Sequence, residues 1–181
     1  MNKISAIQTL KDTWLRIQLM WYGIWANLIL LKTGYKIIEQ DHKMDKRIKL
    51  KWAEALLSGD YKKGQGSLKK RDCYCVMGVL CDLHRKETGA GRWINLVGFD
   101  ESYESEDTIN HFMVTGGVCN WAKVDNSYFN RKVVRHKKLK GVGEMIAISG
   151  LNLIHLNDLA KFQGRFKLGF KQLAYIMYKS Y

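Results

Sequence analysis

Apolar residues fall on nearly every side of the chain's first quarter and then settle into periodic stripes. From Trp14 to Leu31 the run WLRIQLMWYGIWANLILL has only Arg16, Gln18 and Asn27 as strongly polar members. A helix over it would be about 27 Å long, close to the thickness of a bilayer core. A helix apolar all round has no polar side to turn to solvent and is not expected to stand alone in water. Three placements fit residues 1–43. The first is a membrane span with Trp14, Trp21, Tyr22 and Trp25 at the interfaces and Lys32 and Lys36 on the cytoplasmic side. Arg16 and Asn27 are expensive in lipid and weigh against it. The second is a helix lying on a membrane or packed on the domain, and the third is a dispensable leader.

Met44 reads as the natural start of the domain, 44–181. Ile48, Trp52, Ala55 and Leu56 recur at helical spacing and predict a helix over Lys46 to Leu57. Ser58-Gly59-Asp60 stops it, with Gly59 at C′. Lys62 to Arg71 reads as a loop, and Asp72 as the N-cap of a helix from Cys73 to about Lys86. Gly89-Ala90-Gly91 is a break and Trp93 to Val97 a short strand. Asp100 to Asp107 carries five acids and no base, and reads as an exposed loop. Phe112 to Val124, rich in β-branched and aromatic residues, predicts a hairpin around Gly116-Gly117. A short helix is expected over Gly141 to Ser149, followed by segments Leu151 to Ala160 and Leu168 to Tyr178. In the last, Phe170, Leu173, Ala174 and Met177 keep helical spacing. The expected architecture is a compact, helix-dominated α+β domain with a short strand pair or hairpin and an N-terminal apolar helix.

Charge narrows the partners. Thirty Lys and Arg against seventeen Asp and Glu give +13, which favours an anionic partner: nucleic acid, nucleotide or an anionic lipid surface. Proline is absent, so no kink or rigid linker is imposed. Cys73, Cys75 and Cys81 lie within nine residues, inside an apolar run, with Cys119 apart. That is poor geometry for a disulfide framework and fits a reducing cytosol.

The loop GQGSLKKRD, Gly64 to Asp72, is the leading ligand candidate. Two glycines admit positive φ, successive N–H groups form an anion-binding nest, and a following helix adds its positive end. Gly64, Gly66, Ser67, Lys69, Lys70 and Arg71 form the expected site, with Lys62 and Lys63 nearby. The spacing matches neither a Walker A loop nor a dinucleotide fingerprint. A secondary basic patch comprises Arg131, Lys132, Arg135, Lys137 and Lys138, with Tyr128, Phe129, Phe162 and Phe166 as aromatics that could stack on bases. Cys73, Cys75, Cys81 and His84 offer zinc-type ligands. On one helix, however, Cys73 and Cys75 would point about 200° apart, so the cysteines read as core and no metal or cofactor is expected. No local catalytic motif is present. His155 near Asn157-Asp158 reads as a capping turn, with Asp158 accepting backbone N–H groups.

Three stretches carry a family resemblance: Trp52-x-x-Ala55-Leu56-x-Ser58-Gly59-x-Tyr61, Gly64-x-Gly66-x-Leu68, and Tyr74-Cys75-Val76-Met77-Gly78-Val79-Leu80-Cys81-Asp82-Leu83. They resemble a group of small uncharacterised proteins of tailed phages and bacteria, patterned W-x-x-AL-x-SG-x-Y and Y-C-C-x-GVLCDL. Leu156-Asn157-Asp158 and Phe170-Lys171-Gln172-Leu173-Ala174 look like that group's L-x-x-LND segment and final F-x-x-IA helix. Here Val76 replaces the second cysteine of the pair. The resemblance implies a phage-type accessory protein in a bacterial cytoplasm and supplies no catalytic residues.

The expected function is therefore a non-enzymatic binder of an anionic ligand: a nucleotide, for instance a host defence signal being sequestered, or nucleic acid. Two alternatives stand beside it, a protein that docks on and inhibits a host factor, and a membrane-associated protein using residues 14–31.

Overall fold

A final helix on which the first two helices pack organises the molecule. The computed structural model describes residues 3–32, 34–38, 44–98, 100–106, 108–125, 127, 129, 131–136, 150–158 and 168–181. The helix expected over 141–149 lies outside them, as do Lys137, Lys138, Tyr128, Phe162 and Phe166.

Helix α1 (Lys3–Lys32) leads to strand β1 (Tyr35–Ile37), then α2 (Lys46–Ser58). Asp45 caps α2, its carboxylate accepting from the N–H of Arg47 at 2.9 Å and of Ile48 at 3.3 Å. Gly59, left-handed at φ +87°, ends it as the sequence predicts. Strands β2 (Lys62–Lys63), β3 (Lys69–Lys70) and β4 (Cys73–Tyr74) precede α3 (Val76–Thr88). Then come β5 (Arg92–Asn95), β6 (Glu101–Ser105), β7 (Thr108–Asn110), α4 (Gly116–Ala122), β8 (Lys132–His136), β9 (Gly150–Asn152), α5 (Leu153–Asp158) and α6 (Phe170–Ser180).

The strands form three small sheets, ordered β1-β8-β9, β2-β4-β3 and β5-β6-β7. Helices α1 and α2 both pack on α6. Trp52 of α2, Phe129 and Tyr181 close the centre with ring centroids 5.8–6.3 Å apart. The Trp52 indole donates to the Val76 carbonyl at 3.0 Å, tying α2 to the start of α3. The fold is a helix-dominated α+β domain with an N-terminal helix, and it holds more sheet than one strand pair.

Leu15, Leu19, Ala26 and Leu30 of α1 are buried. Gly23 lets α1 approach α6 closely, since a Cβ there would sit 2.4 Å from the Tyr175 ring. Among the described residues no helix is long and apolar enough to cross a membrane.

Three expectations change. Helix α3 begins at Val76, and its N-cap is Cys75, whose Sγ accepts from the Gly78 N–H at 3.3 Å. Asp72 belongs instead to a two-residue turn between β3 and β4, in which Lys70 pairs with Cys73 and Arg71 takes φ +54°. The centre of the acidic stretch is not a loop: β6, Glu101–Ser105, is the central strand of its sheet, with Ser102, Tyr103 and Ser105 buried. The expected hairpin over 112–124 is largely α4, because burial of Val118, Cys119 and Ala122 overrides their local preferences.

A candidate anion site

The glycine-basic loop is folded onto partners of its own. The Gly64 N–H donates to the Tyr74 carbonyl at 2.6 Å, the Gly66 N–H to the Asp158 carboxylate at 3.2 Å, and the Leu68 N–H to the His111 carbonyl at 2.9 Å. Buried Asn157 locks the same turn. Its amide donates to the Gly64 carbonyl at 3.0 Å, and its side-chain oxygen accepts from the Val76 N–H at 3.2 Å. Three N–H donors of the loop and one at the helix start therefore serve the fold.

Two of the loop's cations are also paired. Lys69 bonds to Glu101, and Lys70 lies 3.2 Å from Asp100. Ser67 is buried and donates to Asp100 at 3.2 Å. Lys69 further lies 5.4–5.5 Å from the Trp93 and Tyr74 ring centroids. Arg71 is exposed at the turn. The structure thus brings the six predicted residues together, but an anion there would have to displace the carboxylates of Asp100, Glu101 and Asp158. Of the secondary patch, Arg131, Lys132 and Arg135 lie among the described residues, and Lys137 and Lys138 lie outside them. Arg131 lies 3.8 Å from Asp125, while Lys132 and Arg135 sit on β8.

The cysteines are free thiols, and Cys75, Cys81 and Cys119 are buried. Burial pushes the thiols of Cys75 and Cys119 up to about 11 and that of Cys81 well above its ordinary value, which disfavours thiolate chemistry. His84 shares a 2.8 Å hydrogen bond with the Tyr103 hydroxyl, and burial lowers its pKa. Among the described residues no group of three or more His, Cys, Asp or Glu is placed to hold a metal.

A different feature stands out on α2. Lys49 lies on the helix's buried face with Ile48, Trp52, Ala53 and Leu56, and is only 8% exposed. It lines a pocket of about 300 Å³ with Arg16 from α1, Met44, Lys46 and Leu50, and Tyr178 from α6. The ammonium lies 4.7 Å from the Tyr178 ring centroid. Burial, with added repulsion from Lys179 and Lys46, lowers its pKa to about 8.

No carboxylate among the described residues pairs with Lys49. The nearest acid in sequence, Asp45, is committed to the helix N-terminus and to Lys123 at 3.3 Å. A buried charge is normally paired or shifts its pKa, and here it is surrounded by like charge. The charged groups lining the pocket are all cationic, and the Tyr178 ring and the side chains of Met44 and Leu50 form its apolar walls.

Sequence reasoning misses this site, yet one signal for it is visible. Lys49, Trp52, Ala53 and Leu56 are spaced i, i+3, i+4, i+7, placing a lysine inside the apolar stripe of α2. Arg16 and Tyr178 reach it only through tertiary packing.

The family model for a domain of unknown function, DUF8296, matches residues 44–180. The chain belongs to that family. Comparison with curated proteins and with solved structures gives no match. Most of the pocket, including Lys49, Lys46 and Tyr178, lies within the DUF8296 region, whereas Arg16 comes from the helix before it. The glycine-basic loop, the GVLCDL segment and Asn157 also lie within that region, and all three meet at one junction.

Proposed function

We propose that the protein is a non-enzymatic, phage-type accessory protein that binds a phosphate-bearing anion, a nucleotide first among them, in the pocket around Lys49. One observation carries this reading: a buried ammonium with an aromatic ring beside it, cationic neighbours and no acid among the described residues. A bound phosphate supplies the opposite charge that the fold withholds, so binding regains part of what burying Lys49 costs. The +13 charge adds long-range attraction. The Tyr178 ring offers a face for a base.

Thermal unfolding with ATP, and separately with inorganic phosphate, tests the assignment, because a ligand that binds only the folded chain raises Tm in proportion to its occupancy. The wild-type protein is expected to gain several degrees at millimolar ATP. Lys49→Met is expected to be more stable than wild type without ligand, since it removes an unpaired buried charge, and to lose the ATP response. Replacing Lys69, Lys70 and Arg71 together by Ala leaves that response in place. An ATP shift undiminished in Lys49→Met, and abolished in the loop variant, would return the site to Gly64–Arg71. Retention of long single strands, with affinity falling steeply in salt, would favour the nucleic-acid reading.

The pH dependence has a definite sign. Lys49 in the folded protein titrates near 8, below its unfolded value of 10.5. Between those values the unfolded chain holds more protons, so the Lys49 contribution to stability rises with pH across that window. The groups facing it are Arg16 from α1, Lys46 on α2, and Tyr178 and Lys179 from α6. Saturating ATP raises the pKa of Lys49 and flattens the rise, which urea melts at pH 7.5 and 10 would read directly.

A further inference from the structure

The outward side of α1 is apolar and uncovered. Counting about 100° per residue, its buried residues Leu15, Leu19, Ala26 and Leu30 occupy one side of the helix. The opposite arc, about 100° wide, carries Trp14, Ile17, Trp21, Ile24, Trp25 and Leu28, all exposed. The three tryptophans are 61–65% accessible. The strip runs from Leu10 to Leu31, about 32 Å along the axis. Its area is on the order of 1,000 Å², beyond the few hundred that monomeric proteins leave in one patch.

Charge decides what covers it. Asp12 is the only acid of α1, against Lys3, Lys11, Arg16 and Lys32. Lys171 of α6 lies 5.1 Å from the Tyr22 ring on one edge, and Lys179 lines the groove with Ile17 and Trp21 on the other. We infer that this face docks into the headgroup region of an anionic bilayer, with α1 lying in the membrane plane and the domain behind it. Tryptophan is enriched at that depth, and an apolar strip bordered by cations is the pattern of interfacial helices. A second copy fits less well. Its strip would bring like cations together, and both the width and the three indoles exceed what a two-stranded seam accommodates. The inference stands on α1 alone and is independent of the Lys49 pocket.

The test uses the full chain with vesicles of phosphatidylcholine alone and of phosphatidylcholine with 30% phosphatidylglycerol. The protein is expected to float with the anionic vesicles at least tenfold more than with the neutral ones, with tryptophan emission shifted to the blue. The variant Trp21→Ser, Ile24→Ser, Trp25→Ser, altered only at exposed positions, is expected to lose at least tenfold of that binding at unchanged Tm. Should it not fold, quenching of wild-type emission by brominated phosphatidylglycerol reads the same contact. Flotation with neither vesicle, or equally with both, overturns the inference. So does a concentration-dependent dimer that the variant abolishes without any vesicle binding, which would give the face to a second copy.

Discussion

Gly78→Ala is expected to destabilise the protein by about 3 kcal/mol or more, the upper range for overpacking a tight site. For a chain of this size that lowers Tm by about 10 °C. A Cβ at position 78 would stand 1.9 Å from the Leu68 carbonyl oxygen and 2.8 Å from its carbon. Those are backbone atoms, so no rotamer change relieves the contact. The Leu68 carbonyl also accepts the Cys75 N–H at 3.0 Å, and the Leu68 N–H donates to His111. Pushing Leu68 away therefore breaks hydrogen bonds on both sides of a fully buried leucine. Gly116→Ala is the matched control. Its Cβ would meet nothing closer than a Glu106 carboxylate oxygen at 3.9 Å, and the added helix propensity keeps Tm within about 2 °C of wild type. Circular dichroism melts of both variants decide the matter. A Gly78→Ala melt as close to wild type as the control's would mean that the Gly64–Asp72 loop does not cross α3 at this point.

This crossing gives the motif stretch a physical meaning. Trp52 bonds to Val76, Tyr61 to Asp82, Leu68 lies over Gly78, and Asn157 joins Gly64 to Val76. Residues far apart in the resemblance pattern are neighbours at one junction. These contacts give the pattern an architectural role, and within it the loop's glycines serve turning and close approach.

What could be read from the sequence follows the range of the interactions that decide it. The stop at Gly59 and the buried face of α6 depend on local spacing and appear where the pattern puts them, while α2 buries Ile48, Trp52 and Leu56 as spaced but Ala53 in place of Ala55. The start of α3 does not, because Cys73 and Tyr74 are claimed by β2 and β3, and a sheet of two-residue strands leaves no periodic trace. Gly116-Gly117 reads locally as a turn. In the folded chain Gly117 admits Ser105, whose Oγ would lie 2.6 Å from an added Cβ. Asp100 and the acids of β6 read as solvated because their partners, Lys70, Lys69 and Arg92, come from other strands. The Lys49 pocket divides the same way. The lysine on an apolar stripe is a local signal, while the converging cations are a tertiary one.

Asp82→Asn should have the second large effect, and its pH dependence separates the charge from the shape. The Asp82 side chain is 3% exposed. Its carboxylate accepts from the Tyr61 hydroxyl at 2.8 Å, Lys86 at 2.9 Å, Arg85 at 3.0 Å and the Trp93 indole at 3.2 Å. Burial alone would raise its pKa, but the hydrogen bonds from Lys86, Tyr61, Trp93 and Arg85 outweigh burial and hold it below the ordinary 3.8. A folded pKa below the unfolded one contributes stability that is complete above about pH 4 and is lost as pH falls through the folded value. Arg85 and Lys86 are about half exposed and stay hydrated after the change, so the loss comes mainly from Tyr61 and Trp93. At pH 7 Asp82→Asn is expected to cost about 2 kcal/mol, a fall in Tm of about 6 °C. The wild-type and variant stabilities should then converge as pH falls below about 4 and through the folded value. A gap that does not narrow on acidification would assign the loss to shape and packing. A gap absent at pH 7 would mean that Asp82 does not tie α3 to Tyr61 and β5, and that the Tyr61, Tyr74 and Trp93 ring contacts hold that side of the domain without it.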